Sequence, residues 1–316
     1  MIDFRYHLVS LVSVFLALAV GIVLGAGPLK EPIGESLQSQ VDALRTDRDD
    51  LRTQLEAAGG NIEKQNEFVS AAAPELIGGT LNDTQISVIT GPEANAEQVE
   101  QVTNRIQEAG GQIAGDVAFV EDTLTVDGSG DFLTTLRGIV PGLPADDATA
   151  LRSALVIALT GRASMITEGQ ERDDAEAKAT DLYNAFIDAG RLRSDTDHRT
   201  TELFVIIDDE NSQLADETQP SPEATGDKAT REVITDFVNA LTAESKAVVV
   251  AGDAGSAQNG LVNVLRTEKS RASTVDGLGL GAGPIITVRA IAAANNGTHG
   301  HWGFASDAEA VLPGKV

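Results

Sequence analysis

The sequence predicts an α/β protein in which a parallel-sheet domain follows an N-terminal transmembrane helix and a coiled-coil stalk. Three observations carry this reading. Leu8 to Ala26 reads LVSLVSVFLALAVGIVLGA and holds no charged residue. Residues 37 to 62 place apolar side chains at alternating steps of four and three in otherwise polar sequence. From Thr84 onward, short apolar runs alternate with helical stretches and Gly-containing turns, the order that parallel, Rossmann-like sheets use. The expected parts are a cytoplasmic tail and membrane helix over 1–29, a juxtamembrane coiled coil over 30–73 and an extracytoplasmic domain over 80–316. That domain is either one doubly wound sheet or two similar halves, about 80–160 and 200–316.

Composition removes several function classes. The formal net charge is −25 over 316 residues. Nucleic acid needs clustered Lys and Arg, and a peripheral protein drawn to anionic lipid needs the same, so neither is expected as a partner. There is no Cys, which excludes disulfides, iron–sulfur clusters, thiolate zinc and cysteine catalysis.

The apolar run of 19 residues, extended by Gly27 to Leu29, reaches about 30 Å of helix, enough to cross a bilayer. A cleaved signal peptide would have a shorter core, and Pro28 directly after Gly25-Ala26-Gly27 hinders cleavage. A buried core helix would need apolar cover on all sides, which no other segment offers. An uncleaved anchor in the plasma membrane is therefore expected. Arg5 before the segment and Lys30 after it leave orientation to the short tail and long acidic remainder, which favour the N-terminus inside and the bulk outside. Ala17, Gly21 and Gly25 fall four apart, a row of small residues that lets a second helix approach closely.

Beyond Pro28 and Pro32, Leu37, Leu44 and Leu51 read as d positions of a heptad, and Val41, Arg48, Leu55 and Ile62 as a positions. Two apolar positions in seven form a narrow seam, unlike the wider face of a helix docked on a core. Gly59-Gly60 is expected to interrupt the helix, and a second piece, Ile62 to Ala73, to end at Pro74. The seam either packs on its own domain or pairs with another helix, as a homodimer or with a partner. Ala17, Gly21, Gly25, Leu37, Val41, Leu44, Arg48, Leu51 and Leu55 are the candidate interface.

In the domain, Gln85 to Thr90 is a strand, followed by a helix over about Ala94 to Ala109 and a strand over Gln112 to Val120. Asp122 to Pro144 is turn-rich. Helices are expected over about Asp146 to Leu159 and Asp173 to Ala189, then the strand Glu202 to Ile207. Asn211 to Asp227 reads as an exposed loop. A helix over about Ala229 to Ala243, the strand Ala247 to Ala251, a short helix near Gln258 to Leu265, a small strand at Ala272 to Val275 and a helix over Pro284 to Ala294 complete the domain. Its crossovers are expected to be right-handed.

Three motifs can carry chemistry. Gly277, Gly279, Gly281 and Gly283 precede a helix, but a dinucleotide fingerprint lies after the first strand of its unit, so a helix-capping loop is the better reading. Asp208, Asp209 and Glu210 end one strand and Asp253 another, where α/β sheets bind ligands. In a chain this acidic they read more simply as a solvated loop. His299 and His301 flank Gly300 beside Trp302, a weak candidate metal pair with no third ligand, in a stretch that reads as a terminal loop. No catalytic motif appears and no cofactor is expected, so the chain is expected to be non-enzymatic.

The opening MIDFRYHLVSLVSVFLALAVGIVLGAGPL, the leucine-spaced helix and the C-terminal stretch STVDGLGLGAGPIITVRAIAAA…HWGFASDAEAVLP together resemble the actinobacterial MctB-type family, named for mycobacterial copper transport protein B. That resemblance implies one of two roles. Some members are copper transport or outer-membrane channel proteins. Others, the SteB type, pair with a second membrane protein, SteA, in daughter-cell separation and control of cell-wall hydrolases. Copper(I) handling favours Cys, Met and His, of which this chain has none, two and four. A pore needs closed amphipathic strands of about ten residues. The expectation is therefore a SteB-type envelope protein that presents its coiled coil and domain to a SteA-like partner and a cell-wall hydrolase or its regulator, with copper transport as the alternative and small-ligand binding as the third.

Overall fold

The computed structural model describes residues 4–26, 31–92, 94–162, 172–208 and 223–314. The chain divides into two compact units, Met1–Lys64 and Gln65–Val316. In the first lie helix α1 (Phe4–Ala26) and most of α2 (Glu31–Ile77). The sheet domain begins with β1 (Gln85–Thr90), α3 (Ala96–Glu108) and β2 (Gln112–Phe119). Three helices follow, α4 (Gly130–Ile139), α5 (Asp147–Thr160) and α6 (Arg172–Asp188), then β3 (Leu192–Arg193) and β4 (Leu203–Ile207). The last part runs α7 (Glu223–Glu244), β5 (Ala247–Ala251), α8 (Ala254–Gln258), α9 (Leu261–Thr267), β6 (Ser273–Val275), α10 (Gly283–Asn295) and β7 (His301–Trp302).

Residues Phe4–Leu24 form a helix long and apolar enough to cross a membrane, with none of its hydrophobic window buried. The Ser13 hydroxyl donates to the Val9 carbonyl at 2.8 Å, so this polar group is satisfied within the helix, as an apolar surrounding requires.

Helix α2 does not break where the sequence suggested. It runs unbroken through Gly59, Gly60 and Pro74. Glycine lowers helix propensity by only about 1 kcal/mol, which a long helix absorbs. Pro74 lies in the last turn, where the Gly78 amide still reaches the Pro74 carbonyl at 2.9 Å. There the helix is held by packing, because Ala73 and Ile77 are fully buried and Val69 packs beside them. Pro32 falls in the first turn, where a missing N–H costs little.

The strands join in one seven-stranded sheet of order β3-β2-β1-β4-β5-β6-β7, so residues 85–119 and 203–302 share a sheet. All pairings are parallel except β2 with β3. Strands β4 and β5 are buried at every residue. Their alternate side chains enter two cores. Phe204, Ile206, Val248 and Val250 pack with α4, α5, α6, α7 and α9. Leu203, Val205, Ile207, Val249 and Ala251 pack with α3, α10 and the end of α2. Each face carries one helix that is apolar almost all round, α5 on the first and α10 on the second. Such helices survive only under further cover.

Crossovers β1-α3-β2 and β4-α7-β5 run in opposite directions on opposite faces and so share one hand. Crossover β6-α10-β7 departs from the expected rule. It moves the same way as β4-α7-β5 but lies on the other face, so its hand is opposite. Because β7 has only two residues, little ladder enforces this arrangement, and side chains described below hold it.

Several local expectations change. The turn-rich stretch contains α4, tied down by Arg191, whose guanidinium donates to the carbonyls of Asp122 and Thr125 and to Ser129 Oγ, and lies 5.0 Å from the Phe132 ring centre. The short helix near Gln258 is two helices, α8 and α9, separated at Gly260, the N-cap of α9. His301 and Trp302 form β7, not a loop, because their backbone pairs with Thr274 and Val275. Helix α7 starts at Glu223, earlier than expected, and the rest of the supposed loop lies outside the described residues.

Truncations should report how α2 is held. Ile77→Ala removes a fully buried side chain and should destabilise the sheet domain by about 2–5 kcal/mol in urea unfolding. Leu51→Ala on the exposed part of the same helix should leave that unfolding transition within about 0.5 kcal/mol.

Candidate functional site

The upstream part of α2 leaves its seam in solvent. Leu37, Leu44, Leu51 and Leu55 are 57%, 67%, 59% and 73% exposed, and Ile62 is 56% exposed. Val41 is the least exposed of the row. Arg48 lies in the seam and pairs with Asp49 at 2.7 Å on the surface. Arg45 pairs with Asp42 and Arg52 with Glu56, also on the surface. In α1, Ala17, Gly21 and Gly25 share one helix face, and a Cβ at Gly21 would meet nothing within 4 Å. The seam and the Gly21 face are two unfilled helix surfaces, and the geometry adds no chemistry to them.

The glycine loop has a packing explanation. A Cβ at Gly281 would collide with the Asn66 side chain of α2, and one at Gly283 with the backbone of Gly277 and Leu278. A Cβ at Gly279 would lie 3.4 Å from the Gln98 side-chain amide of α3, an ordinary contact. Gly277 adopts a φ of +75°, which lets the chain turn from β6 toward α10. Close packing against Phe304, Asn66 and the loop's own backbone thus accounts for Gly277, Gly281 and Gly283, while Gly279 and Leu280 stay exposed.

The strand-end carboxylates are dispersed in role. Asp253 caps α8, accepting from the amides of Gly255 and Ser256 at 2.7 and 3.0 Å. Asp208 follows β4 beside Gly91. Asp209 and Glu210 lie outside the described residues. No group of three or more His, Asp or Glu side chains suited to a metal occurs among the described residues. His299 is exposed, whereas His301 is half-buried with its Nδ1 3.0 Å from Thr274 Oγ1. The structure does not bring the two imidazoles to a common third ligand among the described residues.

His301 belongs instead to a buried ionic knot that sequence reading did not find. Arg266 is buried at the end of α9, with 4% of its side chain exposed. Its guanidinium donates to Thr274 Oγ1 at 2.9 Å, to Asp276 Oδ2 at 2.8 Å, to Asp307 Oδ1 at 2.9 Å and to the Trp302 carbonyl at 3.0 Å. Asp276 Oδ1 accepts from the amides of Phe304 and Ala305. Gly303, at φ +134°, has no room for a Cβ because the Asp276 carboxylate occupies it. His301, Trp302, Phe304, Ala305 and Asp307 of the stretch HWGFASD are therefore fastened to β6, to Asp276 directly after it, or to α9. Burial, and then the Arg266 charge, hold the His301 pKa below its usual value, against the opposing pull of Glu309 and Asp307.

A second desolvated cluster lies where β2 meets the segment after β3. His198 donates through Nε2 to the Ala158 carbonyl at 2.7 Å, sets Nδ1 3.2 Å from Thr180 Oγ1 and stacks on Tyr183 with ring centres 4.4 Å apart. Burial lowers the His198 pKa and raises that of Tyr183. Burial, with the Asp195 charge, raises that of Asp116. Both ring nitrogens of His198 are engaged, so the cluster reads as a structural knot joining α5 and α6.

A family model described as "Copper transport outer membrane protein, MctB" matches residues 1–313. The chain belongs to the MctB family. Curated relatives named "Copper transporter MctB" include those of Mycobacterium tuberculosis and Mycobacterium bovis, each 25% identical over 327 residues, covering 98% of this chain and 99% of the relative. The protein of the same name from Mycobacterium leprae is 24% identical over 319 residues, with the same coverage. The N-terminal apolar helix of this MctB member fits a membrane-anchored protein.

The ionic knot makes two measurable predictions. Arg266→Met leaves Asp276 buried without its counter-charge and should cost about 3–5 kcal/mol in domain stability. His198 and His301 both have folded pKa values below the unfolded value, so the unfolded chain binds protons more readily. Thermal stability should fall as pH drops below the unfolded histidine value, about 6.5, and His198→Gln should flatten part of that slope in a pH series.

Proposed function

We propose that this MctB-family chain is a single-pass envelope protein that serves copper homeostasis as a non-enzymatic accessory, working through protein contacts rather than as a pore. Its N-terminus is cytoplasmic and its sheet domain extracytoplasmic, in the plasma membrane. The family description and the names of the mycobacterial relatives support the copper connection. The observation that carries the mode of action is the contrast between sheet and stalk helix. The sheet is open, its strands are short, and helices bury both faces, whereas a membrane barrel needs closure and a lipid-facing apolar band. The leucine row of α2 is by contrast exposed in the single chain and suited to another helix.

Cell separation with a SteA-like partner and a cell-wall hydrolase or its regulator is the second reading, favoured by the same exposed seam and by the SteB-type resemblance. One strain set separates the two. A deletion strain should become copper-sensitive and regain tolerance with the wild-type chain. A Leu44→Asp, Leu51→Asp chain should fold and reach the membrane yet fail to restore tolerance, since two lost leucine contacts weaken pairing by about a hundredfold or more. Chained, unseparated cells with normal copper tolerance would replace the first reading with the second. Titration of the purified full-length chain with copper tests the accessory role directly. A tight stoichiometric site abolished by His299→Ala with His301→Ala would overturn it.

A further inference from the structure

We infer that the occupant of the α2 seam is a second copy of this chain, aligned parallel and in register, with Asp47 of one protomer set between Arg48 and Arg52 of the other. This rests on the membrane-anchored, seam-mediated reading above and names the partner of that surface.

Charge placement selects the arrangement. With Leu37, Leu44 and Leu51 at d, the flanking e positions are Gln38, Arg45 and Arg52, and the g positions are Gln40, Asp47 and Gln54. In a parallel in-register pair each g residue faces the e residue five further along its neighbour, which brings Asp47 to Arg52 and Gln40 to Arg45. An antiparallel pair would set e against e and g against g, so that arginines face arginines. The hole that receives an a-position knob includes the partner's preceding g residue, so Arg48 packs beside Asp47 of the other copy. Asp47 makes no ion pair among the described residues, while Arg48 and Arg52 hold only surface pairs with Asp49 and Glu56, which exchange readily. A shared bilayer imposes the same parallel orientation on both copies. It also concentrates them, which offsets the shortness of the seam.

The absence of cysteine makes the test direct. Single cysteines are introduced into the full-length chain in native membranes and oxidised. Leu44→Cys and Leu51→Cys should each give a disulfide-linked dimer, whereas Thr46→Cys and Thr53→Cys, on the opposite face, should give little. In the Leu51→Cys background, Asp47→Arg should reduce linkage by about two- to tenfold, Arg52→Asp should do the same, and the combined swap should recover it. Equal linkage at all four cysteines, none at 44 and 51, or no recovery in the swap would overturn the inference. If Leu44→Asp with Leu51→Asp abolishes copper tolerance while no cysteine links two copies, the seam serves a different protein and only this inference fails. If the copies link but breaking them leaves both phenotypes normal, the proposed function fails and the pairing stands.

Discussion

Strands β4 and β5 are buried along their whole length, and a strand with no wet face must find apolar cover on both sides. That requirement dictates most of the domain. One face is roofed by α4 to α7 and α9, with α5 so apolar that α4, α6 and α7 must in turn shield it. Among the described residues the other face has fewer helices, α3 and α10 being its own. The remaining area is closed by Val69, Ala73 and Ile77 from the last turns of α2. The long helix is thus part of the fold at its C-terminal end, which explains why it continues through Pro74.

The Arg266 knot answers a different need. A crossover of the disfavoured hand, ending in a two-residue strand, gains little from backbone pairing. Arg266 supplies what the ladder does not, joining α9, β6, β7 and the segment after it through four acceptors. Burying a guanidinium is costly unless its donors are matched, and here two carboxylates, a hydroxyl and a carbonyl match them. The result is a specific attachment of the C-terminal segment, and it accounts for Gly303, where the Asp276 carboxylate leaves no space for a side chain.

Much of this architecture is legible in the sequence where the pattern is local. ELFVII and AVVVA are uniformly apolar and short, which identifies buried parallel strands, and both elements fall where expected. The apolar N-terminal helix is equally direct. What escaped was decided by contacts distant in sequence. Helix α4 depends on Arg191 reaching back across more than 60 residues, β7 on pairing with β6, and the course of α2 through Pro74 on packing under the sheet. Sequence inspection also read His299 and His301 together, because two histidines two apart suggest a shared ligand. The fold separates their environments, one in solvent and one against Thr274. Arg266 carries no local signal at all, since an arginine near a helix end is ordinarily solvated.

The same contrast bears on function. Several side chains in the domain that look chemically able are occupied: Asp253 in a cap, His198 by two hydrogen bonds, Asp276 and Asp307 by Arg266. In the glycine loop, Gly277, Gly281 and Gly283 are explained by close packing. The upstream half of α2 is the reverse case, with large apolar side chains left in water at regular intervals, and Asp47 beside them without an ion pair among the described residues. Scattered exposed leucines are ordinary, but a periodic row with opposite charges on its two flanks costs solubility without benefit to the single chain. It is accounted for if that row is buried in an assembly. On that argument the upstream seam of α2, rather than the filled side-chain clusters of the sheet domain, is the surface of this MctB-family chain that its own fold leaves uncovered among the described residues.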